Sequence, residues 1–317
     1  MKAINRAVLF ILAAVFCAAP SGAWAWNAAG HRLVAAIAWN EMKPKAREEA
    51  ARLLRLHPDY SRWLARAGAE DADRRVFIEA STWPDEIRKD ARFYSAGKGE
   101  PTPALPGFPD MERRSDWHYV SIPLDAGFDG KPLSGQLDRR LPELVRTLDE
   151  AGPQTDAERV YALPWMIHLA GDSHQPLHAS AQPGGTGRWD KLGNGLQVRN
   201  PFNPRKPVST LHAFWDDLPG PPWLRGDRLD AAAQALAGAH ARVNRSVDTE
   251  RWIEESWRLA RDKAYPAVQP GSDDVPEITE AFYAASREIA DRRVTQAGFR
   301  LAAVLNRAFA ARPQDQR

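Results

Sequence analysis

Thr155-Asp-Ala-Glu158-Arg-Val-Tyr-Ala-Leu-Pro-Trp-Met-Ile-His168-Leu-Ala-Gly-Asp172-Ser-His174-Gln-Pro-Leu-His178 is the stretch that decides how this chain is read. Thr155 and Glu158 have the spacing of a capping box, in which each side chain bonds the other's backbone N–H and opens a helix. His168 and Asp172 are four apart, so on that helix they share one face and can close on one ion. Pro176 lacks an N–H and disfavours the α conformation at Gln175, so the helix ends there and His178 swings to a second position. Three imidazoles and a carboxylate within residues 168–178 gain nothing in a core unless an ion offsets their desolvation.

The same helical period extends outward. Leu33, Val34, Ile37 and Ala38 recur at helical spacing after Gly30-His31, and 47–56 and 136–148 are amphipathic helices. Helices are predicted at 229–245, 249–263 and 276–311, the last with a break near Gly298. Pro and Gly mark 95–109 as a long loop and 182–207 as another, with a short hairpin around Leu196-Gln-Val198. No repeat and no domain boundary stands out. The expected fold is all-α: a single-domain helical bundle with long loops gathered around one site.

The ends and the charge narrow the function. Lys2 and Arg6 precede an apolar run at 7–19, and Ala23-Trp24-Ala25 fits a small-x-small cleavage site, so 1–25 is read as a secretory leader. The expected mature domain is 26–317, exported to the periplasm or the exterior. The only cysteine, Cys17, lies in the leader, so the mature chain has no disulfide and must draw its stability from core, metal or both. No later stretch is long enough to span a membrane. Removing Lys2 and Arg6 takes Lys+Arg from 43 to 41 against 41 Asp+Glu, a net charge of zero. No global field steers a polyanion, so any nucleic-acid recognition is local to a site.

Four further segments set metal-ligand types beside tryptophan: Trp26-Asn-Ala-Ala-Gly-His31, Thr82-Trp-Pro-Asp85-Glu-Ile-Arg88, Asp116-Trp-His118-Tyr119 and Leu211-His212-Ala-Phe-Trp-Asp216. His212 and Asp216 repeat the His/Asp spacing of the first segment. His57 and His240 stand alone and are expected at the surface, while His174 is expected to orient a ligand. Trp39, Trp63, Trp252 and Trp257 read as packing residues, and Trp83, Trp117, Trp165 and Trp215 as a dry shell around the ligands.

Together the five segments resemble those of the single-strand-specific zinc nucleases, the S1/P1 nuclease family, related in fold to zinc phospholipase C. The resemblance runs from Trp26 to the final helix, where Gly298-Phe-Arg-Leu-Ala302 also fits. It implies an α-helical domain holding three zinc ions. Trp26, as a new N-terminus, would ligate one ion through its α-amino group and carbonyl, joined by His31, with Asp172 bridging. Asp85, His118, His168 and Asp172 would hold its buried neighbour, and His178, His212 and Asp216 the third, more exposed ion. The implied chemistry is metal-assisted hydrolysis of phosphodiesters in single-stranded DNA and RNA to 5′-phosphates, with 3′-nucleotides as further substrates.

The resemblance gives further residues a role. Asp85 would orient the attacking water, Arg88 would support charge on the phosphate, and Tyr119 would stack the base beside the scissile bond. Ser121 stands where the fungal member has a carboxylate that reads the base edge. Gly-Gly-Asn of the family appears here as Leu192-Gly-Asn194, with Gly184-Gly185 upstream, and the connection between His178 and His212 is longer than usual. No stable protein partner is implied and a monomer is expected. Two rival readings use the same metals: a phospholipase C-like activity on phospholipids, and a non-catalytic exported zinc-binding protein.

Overall fold

The computed structural model describes residues 26–68, 70–149, 151–183, 188–266 and 275–310. The expected leader, Gly184-Gly185 and residue 311 of the last helix lie outside the described residues. Within them the chain is mostly helical, as expected, and no helix is long and apolar enough to cross a membrane.

Two helices form the interior. α1 (Ala28–Glu41) starts where the Asn27 side chain accepts the amides of Ala29 and Gly30, and it is buried from Ala29 to Trp39. α7 (Asp156–Asp172) opens on the complete capping box: Glu158 Oε2 accepts the Thr155 N–H at 2.7 Å, and Thr155 Oγ1 accepts the Glu158 N–H at 3.3 Å. α7 is buried without a gap from Arg159 to Asp172. A helix apolar on every side belongs in the middle of a fold.

The other helices surround this pair. They are α2 (Pro44–Arg55), α3 (Tyr60–Ala67), α4 (Ala72–Ala80), α5 (Trp83–Glu86), α6 (Leu137–Leu148), α8 (Leu211–Asp217), α9 (Gly226–Ala239), α10 (Thr249–Leu259) and α11 (Glu280–Ala308). α11, α9 and α4 pack on α1, and α6 and α2 pack on α7. Two short sheets tie the loops down. β1 (Ile122–Pro123) runs parallel to β2 (Ser180–Ala181), with Ile122 opposite Ser180. The hairpin expected near residue 196 forms between β3 (Gln197–Arg199) and β4 (Val208–Thr210).

Several expectations are corrected. α3, α4, α5 and α8 have no counterpart in the helices read from the sequence. α9 runs Gly226–Ala239 rather than 229–245, because Asn244 is drawn away: its carbonyl accepts from Arg300 and its side chain from the Ser246 N–H. His57 is not at the surface. It is buried between Trp63, Trp83 and Phe108, and burial pushes its pKa down to about 3.

α11 also does not break at Gly298. A Cβ there would lie 2.6 Å from Ile37 Cγ2 and 3.0 Å from the Val34 carbonyl, so the glycine lets α1 and α11 touch backbone to backbone. Gly298→Ala is therefore expected to destabilise. Helix propensity favours alanine by about 1 kcal/mol, whereas overpacking a core costs about 1–3 kcal/mol. A lowered urea midpoint checks this; an unchanged or raised midpoint would show that the two helices separate freely.

Candidate metal centre

α7 delivers His168 and Asp172 on one face at its buried C-terminal end. The chain then turns through a 3₁₀ segment, Pro176–Ala179, that points His178 elsewhere, as Pro176 predicts. α1 supplies His31, whose ring stacks on that of His168 with centroids 3.8 Å apart. α5 supplies Asp85, the strip before β1 supplies His118, and α8 supplies His212 and Asp216 one turn apart.

These side chains converge in two places. In the first, Asp172 stands 3.4 Å from His31 Nε2, 3.1 Å from His118 Nδ1 and 3.4 Å from His168 Nε2. Asp85 Oδ1 stands 3.9 Å from both His118 Nδ1 and His168 Nε2. In the second, His178, His212 and Asp216 meet, with His212 Nε2 3.4 Å from Asp216 Oδ2. Among the described residues, the combinations able to hold an ion are His31 with Asp85 and His168, His118 with His168 and Asp172, and His178 with His212 and Asp216. Trp26 is fully buried, and the Cβ that Gly171 lacks would meet both His31 Nδ1, at 2.8 Å, and Trp26 Cδ1, at 3.8 Å.

The donor set fits a cation. Three imidazoles give their Nδ1–H to backbone carbonyls: His168 to Ser81 at 2.8 Å, His178 to His118 at 2.7 Å and His212 to Leu192 at 2.6 Å. That fixes the tautomer and leaves the Nε2 lone pair, rather than a proton, on the inward side of each ring, the arrangement of a metal-ligating histidine. His168 Nε2 and His118 Nδ1 face each other at 3.0 Å, so a proton or a cation must lie between them. Both nitrogens of His31, His118 Nε2 and Asp172 Oδ1 are buried without a hydrogen-bond partner, which is rare in native interiors.

Electrostatics point the same way. Burial drives His31 and His118 well below the usual imidazole range, and it lifts the Asp172 carboxyl to about 6 and Asp216 well above the ordinary value. For His168, burial opposes the charge, but Asp172 and Asp85 outweigh it and raise its pKa. Neutral imidazoles and carboxylates in a dry pocket are zinc donors, and a cation would restore both carboxylates to their charged form.

Other expected residues occupy distinct places. Arg88 sits 3.4 Å from Asp85 Oδ1 and is largely covered. Tyr119 is half-buried beside His118. A Cβ at Gly135, which has φ +88°, would lie 2.1 Å from the Tyr119 carbonyl oxygen and 2.8 Å from its ring, so that glycine admits the backbone and ring of Tyr119 alike. Ser121 is buried, and its hydroxyl accepts from Ser134 at 3.1 Å. Trp83, Trp117, Trp165 and Trp215 are all buried, and Trp165 stands edge-on to His118 with centroids 5.6 Å apart.

His174 is corrected. It orients no ligand in this cluster. Its Nδ1–H goes to the Ala170 carbonyl at 2.7 Å, and its Nε2 accepts from the buried Arg300 of α11 at 3.0 Å.

Two residues that hold the centre escaped the sequence reading. The Gln175 amide donates to Asp216 Oδ1 at 2.8 Å, linking the turn after α7 to α8. Asn27 ties the start of the domain to the end of α8. Its backbone N–H donates to the Asp216 carbonyl at 3.0 Å, and its amide donates to Asp217 at 3.0 Å and to the Gly220 carbonyl at 2.8 Å. The available signal was their position, each within a proposed ligand segment.

A helical domain that closes over clustered imidazoles and carboxylates has the build of a metal-dependent hydrolase. The sequence model of the family described as S1/P1 Nuclease matches residues 26–310. The chain belongs to that family and is a nuclease, a hydrolase of phosphodiester bonds. Among its relatives, Endonuclease 2 of Arabidopsis thaliana is 26% identical over 226 residues, 62% of this chain and 72% of the relative. Endonuclease 5 of the same plant is 24% identical over 77% of this chain and 82% of the relative. Endonuclease 4 is 24% identical over 93% of this chain and 92% of the relative.

Proposed function

We propose that the chain is an exported zinc nuclease that cleaves single-stranded DNA and RNA to 5′-phosphates and also hydrolyses 3′-nucleotides. One observation carries the reading: buried His and Asp groups converge at two places joined by a single turn after α7. In this reading Trp26, freed by removal of 1–25, would join His31 and Asp172 in holding one zinc. Asp85, His118, His168 and Asp172 would hold a second, and His178, His212 and Asp216 a third. The working unit is a monomeric domain, 26–317, with no stable protein partner.

Zinc held at these positions would supply Lewis acidity and lower the pKa of bound water. The rest falls to the chain's own side chains. Asp85 accepts a hydrogen bond from the attacking water and so aims its oxygen at phosphorus. Arg88, held at Asp85, pairs with a non-bridging phosphate oxygen and supports the charge that grows as the bond to the 3′-oxygen breaks. The products are a 5′-phosphate and a free 3′-hydroxyl. Tyr119 offers its ring to an unpaired base, and such stacking is worth about 1–3 kcal/mol whatever the base. A duplex keeps its bases stacked and withholds them. Ser121, already engaged by Ser134, reads the base edge weakly, which fits broad base usage.

Tyr119→Ala is the test of substrate class. Cleavage of single-stranded DNA should fall about 5- to 150-fold, the loss of one stacked base. Hydrolysis of bis(4-nitrophenyl) phosphate, which has no base to stack, should hardly change. Equal losses on both substrates would remove the stacking role. RNA, 3′-AMP and phosphatidylcholine assayed alongside, with zinc counted per chain, separate the nuclease from a phospholipase.

A further inference from the structure

The turn at 190–195 holds a backbone conformation that is expensive to adopt. Lys191, Leu192 and Gly193 follow one another at φ 55°, 63° and 82°. Only the glycine enters this left-handed region freely, and each of the other two costs about 1 kcal/mol or more. Asp190 holds the turn. Its carboxylate accepts the Gly193 N–H at 2.7 Å and the Gln182 N–H at 3.1 Å, and its carbonyl accepts the Gly195 N–H at 2.7 Å.

That carboxylate has a further partner. The Tyr265 hydroxyl donates to Asp190 Oδ2 at 2.7 Å, and both side chains are buried. Tyr265 follows a single π-helical turn, Ala260–Ala264, that extends α10, an element that contributes no side chain to the metal centre. What the turn delivers is the Leu192 carbonyl, 2.6 Å from His212 Nδ1. The turn is wedged in place: a Cβ on Gly193 would lie 3.0 Å from Leu177, next to His178, and 3.3 Å from the His212 amide nitrogen.

We infer that Asp190 and Tyr265 are positioning residues for the His178, His212 and Asp216 centre. The phenol fixes the carboxylate, the carboxylate fixes the left-handed turn, and the Leu192 carbonyl accepts the His212 Nδ1–H, which puts the lone pair on Nε2, the nitrogen 3.4 Å from Asp216 Oδ2. The inference rests on the proposed reading of that group as a cation site. A carbonyl partner on the far nitrogen sets tautomer and ring angle and raises the basicity of the ligating one. Removing such partners weakens metal binding by about 10–100-fold.

The test uses the mature chain and the variants His212→Ala, Tyr265→Phe and Asp190→Asn. Zinc per chain is measured across a series of buffered free-zinc concentrations, with melting temperature at saturating zinc. In ¹⁵N-histidine protein, water exchange of the His212 Nδ1–H is followed, assigned by its absence in His212→Ala. One zinc class should vanish in His212→Ala. In Tyr265→Phe and Asp190→Asn that same class should need about 10–100-fold more free zinc, the other classes staying put. The Nδ1–H should exchange faster, and Tyr265→Phe should add little in the Asp190→Asn background, since both act through one carboxylate.

An unchanged zinc curve and unchanged exchange in Tyr265→Phe overturn the inference, as does a uniform loss of all zinc classes together with a fallen melting temperature. Should His212→Ala cost no zinc class, it is the cation-site reading that fails. The Nδ1–H exchange then decides alone whether the strut holds His212: faster exchange upholds it and unchanged exchange refutes it. If Asp190→Asn does not fold, Tyr265→Phe, which removes a single oxygen atom, carries the decision.

Discussion

Asp172→Asn is expected to lower phosphodiester turnover about a thousandfold or more and to release metal from the cluster of His31, Asp85, His118 and His168. One carboxylate reaches three imidazoles there, at 3.1–3.4 Å. Asparagine keeps the shape but removes the charge and sets an N–H₂ where a lone pair stood. Metal stabilisation of a phosphoryl transition state is worth several kcal/mol, and each 1.36 kcal/mol is about tenfold in rate. Misfolding can be separated from this loss. Burial already raises the Asp172 carboxyl to about 6, so in metal-free protein the neutral amide removes a desolvation penalty. The metal-free variant should melt no lower than the metal-free wild type while its activity is lost. Turnover within tenfold of wild type, with full metal content, would exclude Asp172 from the centre.

A chain with one extra residue ahead of Trp26 should lose one zinc and fall in activity by at least about 10–100-fold, the effect that even an outer partner of a ligand exerts. An added residue turns the α-amine, a nitrogen donor with a near-neutral pKa, into an amide that does not ligate. Trp26 cannot shift to compensate. It is fully buried, its Cβ lies 2.6 Å from the place of a Gly30 Cβ, and Asn27 is bonded to the Asp216 and Gly220 carbonyls and to the Asp217 side chain. Comparing chains that begin at Ala25 and at Trp26, by zinc count and by cleavage rate, checks this. Equal rates would remove the amine from the centre.

What could be read from the sequence was local. His168 and Asp172 are one turn apart on a helix legible in the sequence, and His212 and Asp216 repeat that spacing, although the helix that carries them, α8, was not itself legible. The Thr155 capping box and the Pro176 turn are equally short-range and appear as predicted. What could not be read depends on partners far along the chain. Asn27 finds Asp217 and Gly220 about 190 residues away, and no local pattern announces that. Gly298 carries the usual mark of a helix break, yet its neighbour is Ile37 on another helix, so packing reverses its meaning. His57 sits at a helix end with polar residues nearby, but Trp63, Trp83 and Phe108 close over it. α3 escaped because it is short: Tyr60–Ala67 makes only about two turns, too few for a period to stand out.

The depth of the centre has a consequence for the lifetime of the molecule. His31, His168, Asp172 and His178 are wholly covered, and both nitrogens of His31 and Oδ1 of Asp172 have no hydrogen-bond partner. Each such orphan costs about 1–3 kcal/mol, and a domain is stable by only about 5–15 kcal/mol in total. An ion that fills the centre therefore stabilises the folded chain by mass action as well as serving its chemistry. In surroundings starved of that ion the chain is expected to spend more time unfolded and to be degraded faster. Ion supply would then govern how much enzyme persists before it governs how fast each copy works.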